Sequence, residues 1–115
     1  MAPDRMRRVD EAMREVLSDA LTRELKDPRV GFVTVTDVKT SPDLRHARVY
    51  VSVLGDDAVK ADSIEGLQSA HGFLQARVAG SLRLKHTPQL DFVHDDTAER
   101  AFALEALIRE QQGGS

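Results

Sequence analysis

The 115-residue chain is long enough for one hydrophobic core and too short for two, since a domain takes about 100–200 residues. At 41% hydrophobic and 30% charged it reads as a folded protein, and the lack of any apolar run of about 18 residues argues against a membrane span. Zero cysteine excludes disulfides, a thiolate nucleophile, Cys-ligated zinc and iron–sulfur clusters together, and a net charge of −3 argues against a uniformly basic surface.

Apolar residues at Met6, Val9, Met13, Val16, Leu17, Ala20, Leu21 and Leu25 recur in steps of three and four and predict a helix over residues 4–25. On its other face Arg7 with Glu11, Asp10 with Arg14 and Asp19 with Arg23 stand four apart, the spacing of solvated ion pairs. Arg5 and Arg8 lack such obvious partners and remain for a ligand. This charged opening is unlike the apolar core of a secretion signal, so a cytoplasmic location is expected. Asp27-Pro28 stops the helix, because the residue before proline avoids helical backbone and proline has no N–H. Residues 31–39 and 47–54 alternate β-branched and polar side chains, which predicts two strands, and Ser41-Pro42-Asp43-Leu44 supplies the turn of an antiparallel hairpin. In the second strand Ala47, Val49, Val51 and Val53 point one way and Arg48, Tyr50 and Ser52 the other, giving one buried and one wetter face.

Gly55-Asp56-Asp57 ends the hairpin, and a helical pattern starts near Asp62 or Ser63 and carries Ile64, Leu67, Phe73, Leu74, Val78 and Leu82. Gly72 interrupts it. Glycine in a helix interior costs about 1 kcal/mol relative to alanine, so a kink or short turn is predicted at Ala70-His71-Gly72, with Phe73 in the core. After Pro88, residues 89–94 alternate as a third strand with Leu90 and Phe92 inward. Asp96-Thr97-Ala98-Glu99 has the spacing of a capping box and opens a last helix through Ala101, Leu104, Leu107 and Ile108 to near Gln111. No repeat or linker divides the chain, so residues 1–112 are expected as one domain and residues 113–115 as a frayed end. The order helix, strand, strand, helix, helix, strand, helix is α+β, with helices on one face of a small sheet.

Charge is unevenly distributed. Residues 55–70 hold one base and four acids, and residues 95–115 two bases and five acids. Between Ala70 and Leu90, by contrast, lie Arg77, Arg83, Lys85, His71 and His86 with no acid, and a local positive field survives a negative total. No phosphate loop, HExxH, G-x-S-x-G or EF-hand pattern is present. Asp91, His94, Asp95 and Asp96 could hold a hard cation and make a metal-dependent nuclease, but capping and the helix dipole account for carboxylates where a strand turns into a helix. Of the four histidines, His46, His71, His86 and His94, no two stand at the i, i+4 spacing of a helical metal site. His71 and His86 can donate to phosphate or stack on a base, and each can equally be a surface residue.

A break at Gly72 would free N–H groups at the start of the next turn for a phosphate and let a nucleic-acid backbone come close, with Arg77, Arg83 and Lys85 neutralising further phosphates. The same glycine would serve as well to let two helices pack closely. Arg45 and Arg48 could extend the positive strip from the hairpin or decorate it. The acidic stretches offer a rival working surface, for a protein partner.

Four strings then occur in order: Lys26-Asp27-Pro28-Arg29-Val30-Gly31; Ser41-Pro42-Asp43-Leu44 with Ala47-Arg48-Val49-Tyr50-Val51-Ser52; Ala70-His71-Gly72-Phe73-Leu74; and residues 82–92, Leu-Arg-Leu-Lys-His-Thr-Pro-Gln-Leu-Asp-Phe. Together they resemble the bacterial ribosome-binding factor A family from about Arg7 to Ile108. The resemblance implies a type II KH-like fold, in which a helix–kink–helix with its Ala-x-Gly at Ala70, His71 and Gly72 replaces the usual Gly-x-x-Gly loop. It further implies an assembly factor for the free small (30S) ribosomal subunit and its 16S rRNA. Such a factor supports late maturation and rRNA processing near the decoding region, is linked to growth in the cold, and is released as maturation finishes. On this reading the protein is a monomer and no enzyme, with no cofactor, metal, membrane or small-molecule substrate. RNA is then expected at Gly72, Arg77, Arg83 and Lys85 first, with His71, His86, Arg45, Arg48, Arg5 and Arg8 around them. Members of the family commonly carry a basic residue where this chain has Gln75, and many extend a charged C-terminal tail beyond the position of Gly113-Gly114-Ser115, so contacts of both kinds are in question here.

Overall fold

The computed structural model describes residues 2–113, in the order α1 (Ala2–Arg23), β1 (Val33–Thr40), β2 (His46–Val53), α2 (Asp57–Ser69), α3 (His71–Leu82), β3 (Gln89–His94) and α4 (Thr97–Gly113). The sheet has the order β1-β2-β3, with β2 antiparallel to β1 and parallel to β3. The hairpin turn is built by Asp43, whose carboxylate accepts the Ser41 hydroxyl at 2.6 Å and the Arg45 N–H at 3.1 Å. Those two bonds, the Ser41 hydroxyl first, with the charges of Arg45 and His46 behind them, hold the Asp43 carboxyl below its usual range.

Alternation, shifted by a bulge at Thr36 that brings both Val35 and Val38 inward, places these two with Ala47, Val49, Val51, Val53, Leu90 and Phe92 on one sheet face, and Met13, Leu17 and Ala20 of α1, Leu67 of α2 and Leu74 and Val78 of α3 close over it. The buried Ser63 hydroxyl serves the loop after α1, accepting the Gly31 N–H at 3.2 Å and donating to the Arg29 carbonyl at 3.4 Å. That loop comes so near α2 that a Cβ on Gly66 would lie 2.7 Å from a Val30 methyl, so only glycine fits without displacement.

As an edge strand, β3 would leave backbone groups unpaired, and two glutamines take them instead. The Gln68 amide donates to the Leu90 carbonyl at 3.2 Å and accepts the Phe92 N–H at 3.3 Å, while Gln75 accepts the Leu90 N–H at 3.4 Å. Gln75 thus has a structural role, holding the backbone of β3.

Several local expectations are corrected. The second helix begins at Asp57, because Asp56 caps it by accepting the Val59 N–H at 2.9 Å. Of the three expected pairs on α1, Asp19–Arg23 alone closes among the described residues, at 3.0 Å; Asp10 instead accepts the Thr40 N–H at 3.0 Å and also its hydroxyl. The capping box does not form: Asp95 accepts the Thr97 N–H and hydroxyl, Asp96 pairs with Arg100 at 3.0 Å, and Glu99 turns to Lys60 at 3.1 Å. Phe73 is 43% exposed rather than in the core. The last helix does not cover the sheet: Phe102, Leu104, Leu107 and Ile108 are all exposed. It extends to Gly113, and the rest of the expected frayed end lies outside the described residues.

Two measurements test these contacts. Replacing Gln68→Ala strips two edge bonds and is expected to lower stability by about 1–2 kcal/mol in chemical denaturation. The Asp95 carboxyl, held down to about 2 by the Thr97 hydroxyl, then the Thr36 hydroxyl and the Thr97 N–H, keeps its seat for α4 at every pH above the ordinary carboxylate range. That contribution disappears as pH falls through about 2, and in an NMR titration Thr97→Val should move the Asp95 midpoint up toward 3.8.

Candidate nucleic-acid interface

Because β2 and β3 run parallel, the start of β3 lies beside the start of β2, and the turn after β1 lies at the same end of the sheet. The break between α2 and α3 falls there too. Ala70 adopts φ −88° and ψ 9°, ends α2 and begins α3, and supplies no side-chain cap. Gly72 follows in the first turn of α3, so the chain turns one residue earlier than the Ala70-His71-Gly72 centre and the glycine itself is helical. A Cβ on Gly72 would meet nothing within 4 Å. The alternative in which this glycine lets helices pack closely therefore fails; its missing side chain leaves bare backbone open to the outside.

The convergence creates a cleft of ≈ 630 Å³. Arg45 and His46 line it from the hairpin, Gln68, His71 and Gln75 from either side of the break, and His86, Thr87 and Gln89 from the segment leading into β3. An Arg45 guanidinium N–H donates to Nε2 of His86 across 3.5 Å. Nδ1 of His71 lies 2.7 Å from the Gln68 carbonyl, a contact that fixes the ring with its Nδ1–H donating and leaves Nε2 for a ligand. Rings, amides and a guanidinium without a lining carboxylate suit an anion or the polar edge of a base.

Arg83 caps α3 in the left-handed conformation, φ 52°, so that Leu82 and Leu84 turn back onto the core while Arg83, Lys85 and His86 stay exposed. Leu44, φ 60°, makes the corresponding bend before Arg45. Left-handed backbone costs an L-residue about 1–2 kcal/mol, and among the described residues both instances outside glycine occur in the two segments that present these cations.

The expected residues separate into groups. Arg45, His71 and His86 meet in the cleft; Arg83 and Lys85 lie just before His86 on the same segment; and Gly72 opens beside them. Arg77 is half-buried and tied at 2.8 Å to Glu24, the residue just after α1, so its charge is largely neutralised within the fold. Arg48 projects from the open sheet face beside Asp91. Arg5 and Arg8 are exposed near the start of α1, and the contact of Asp10 with Thr40 places that start at the hairpin end of the sheet. Sequence reasoning missed His46, which directly follows Arg45, and Phe73, whose exposed ring adjoins Gly72 and offers a stacking surface. Among the described residues no group of three or more His, Cys, Asp or Glu is placed to hold a metal ion, and Asp95 and Asp96 are engaged by Thr36, Thr97 and Arg100.

The family model described as Ribosome-binding factor A matches residues 5–108. The chain is 53% identical over 108 residues to Ribosome-binding factor A of Anaeromyxobacter sp. (strain K), covering 93% of this chain and 78% of that protein. Its fold is similar to the crystal structure of ribosome-binding factor A from Thermus thermophilus, with a TM-score of 0.69 and 25% identity over 77% of this chain and 94% of that one. It is also similar to a homology model of the Thermus thermophilus factor fitted into a cryo-EM map of a 30S complex, with a TM-score of 0.63 and 26% identity over 75% and 90% of the two chains. The α+β fold with its helix–break–helix is thus the KH-like fold of these structures, and the chain belongs to the ribosome-binding factor A family.

Proposed function

We propose that this protein binds the free small ribosomal subunit at its 16S rRNA, supports late maturation and rRNA processing there, and acts by holding RNA rather than by a chemical step. The observation that carries this reading is the cleft: three separate segments bring Arg45, His46, His71 and His86 together at one end of the sheet, with the bare backbone of Gly72 beside them. The likeness to a factor fitted into a 30S map supports the choice of partner. Arg83, Lys85 and the secondary cations Arg5, Arg8 and Arg48 would add phosphate contacts, which set affinity and its salt dependence without reading sequence. Arg77 contributes chiefly by fixing α3 against α1. The protein works in the cytoplasm as a monomer, one copy to a subunit; no helix among the described residues is long and apolar enough to cross a membrane.

Charge reversal by Arg83→Glu with Lys85→Glu, or by Arg45→Glu, should lower co-sedimentation with free small subunits at least about tenfold and flatten its salt dependence, with the thermal midpoint little changed. Unaltered co-sedimentation of both variants would move the interface elsewhere. Gly72→Ala separates ligand approach from folding. Alanine fits the open helical position and should raise stability by about 0.5 kcal/mol, while the added methyl should weaken subunit binding several-fold.

A further inference from the structure

The acidic residues have no part in that reading, and they surround an apolar surface. One face of α2, from Asp57 through Ala61 and Ile64 to Gln68, forms with His94 a groove of ≈ 690 Å³. Helix α4 starts at its rim, where the Glu99 carboxylate lies 3.1 Å from the Lys60 ammonium and 3.7 Å from Nε2 of His94, a ring nitrogen shielded from solvent without a hydrogen-bond partner. Beyond that clamp α4 makes no substantial packing contact with the body. Leu104, Leu107 and Ile108 fall on one stripe of it at 58%, 52% and 44% exposure, and Phe102 on another side at 72%. A helix apolar on this many sides is normally buried against something.

Charge selects what covers it. Residues 55–70 and 95–115 together carry −6, while the remainder of the chain carries +3. A second copy, an RNA or an anionic lipid surface would bring negative charge against negative charge. A helix with one apolar face and Lys or Arg along its flanks meets both requirements at once, apolar stripe to groove and cations to Asp57, Glu65, Glu105 and Glu110. We infer that α4 and the α2 groove together form a docking surface for a cationic amphipathic helix of a protein partner. The cleft is at the hairpin-turn end of the sheet, whereas α4 leaves from the opposite end, after β3; the α2 groove runs between them and meets the cleft at Gln68, whose amide is held by Leu90 and Phe92 of β3.

Fluorescence anisotropy on the full chain tests this with two labelled helix-forming peptides of about 18 residues, a length at which isolated helices begin to persist, one of Leu and Lys and one of the same pattern in Leu and Glu. The Lys peptide is expected to bind at least about tenfold more tightly than the Glu peptide. Leu104→Gln with Leu107→Gln and Ile108→Gln, which changes no charge, should weaken the Lys peptide about tenfold and leave co-sedimentation with small subunits intact. The cleft variant Arg45→Glu should retain the peptide, so failure of the RNA reading and failure of this one are distinct results. Equal binding of both peptides, or undiminished binding by the triple variant, would overturn the inference. So would a dimer in analytical ultracentrifugation that the triple variant abolishes, since it would assign the surface to a second copy.

Discussion

The parallel pairing of β2 with β3 governs the architecture. Two parallel neighbours cannot be joined by a tight turn, so the chain must leave the far end of β2 and return to its near end. An unbroken helix over residues 57–82 would be about 39 Å long, whereas the eight residues of β2 span about 27 Å. The return helix therefore has to fold, and it folds at Ala70, where α2 has come level with the hairpin turn. The break that opens the candidate interface is thus a requirement of the sheet before it is a property of any glycine.

This explains what could be read from the residues and what could not. Alternation in Val49, Val51 and Val53 and helical spacing in Met13, Leu17 and Ala20 arise from local geometry, so the element order and most of the core were legible. The direction of β3 was not, because a six-residue alternating strand has the same pattern either way round. Caps went astray for a related reason: Asp95 and Asp96 are equivalent in sequence, and only the bulge that brings Thr36 to Asp95 tells them apart. At the candidate site, positive charge without acids drew attention to residues 70–90, and His71 and His86 of that stretch line the cleft. Arg77 was misjudged because its partner, Glu24, lies far away along the chain, and His46 was overlooked because it belongs to a different segment from the other rings.

Net charge conceals a division of labour across the molecule. One end of the sheet gathers imidazoles, a guanidinium and exposed backbone, while α2 and α4 carry carboxylates around apolar side chains. The core between them is shared, and Glu24 with Arg77 and Glu99 with Lys60 are bonds that use charge to tie together segments far apart along the chain. Position in the fold, rather than composition, decides whether a cation is free for a ligand.

The glutamines on β3 have one more consequence. A three-stranded sheet has two open sides, each a template on which identical chains could stack into fibrils. On one side Gln68 and Gln75 already occupy the groups a foreign strand would seek; on the other, the bulge at Thr36 and the Asp10 carboxylate on the Thr40 N–H spoil the regular repeat. The fold thereby guards newly made copies against aggregation with substitutions that leave its hydrophobic centre untouched.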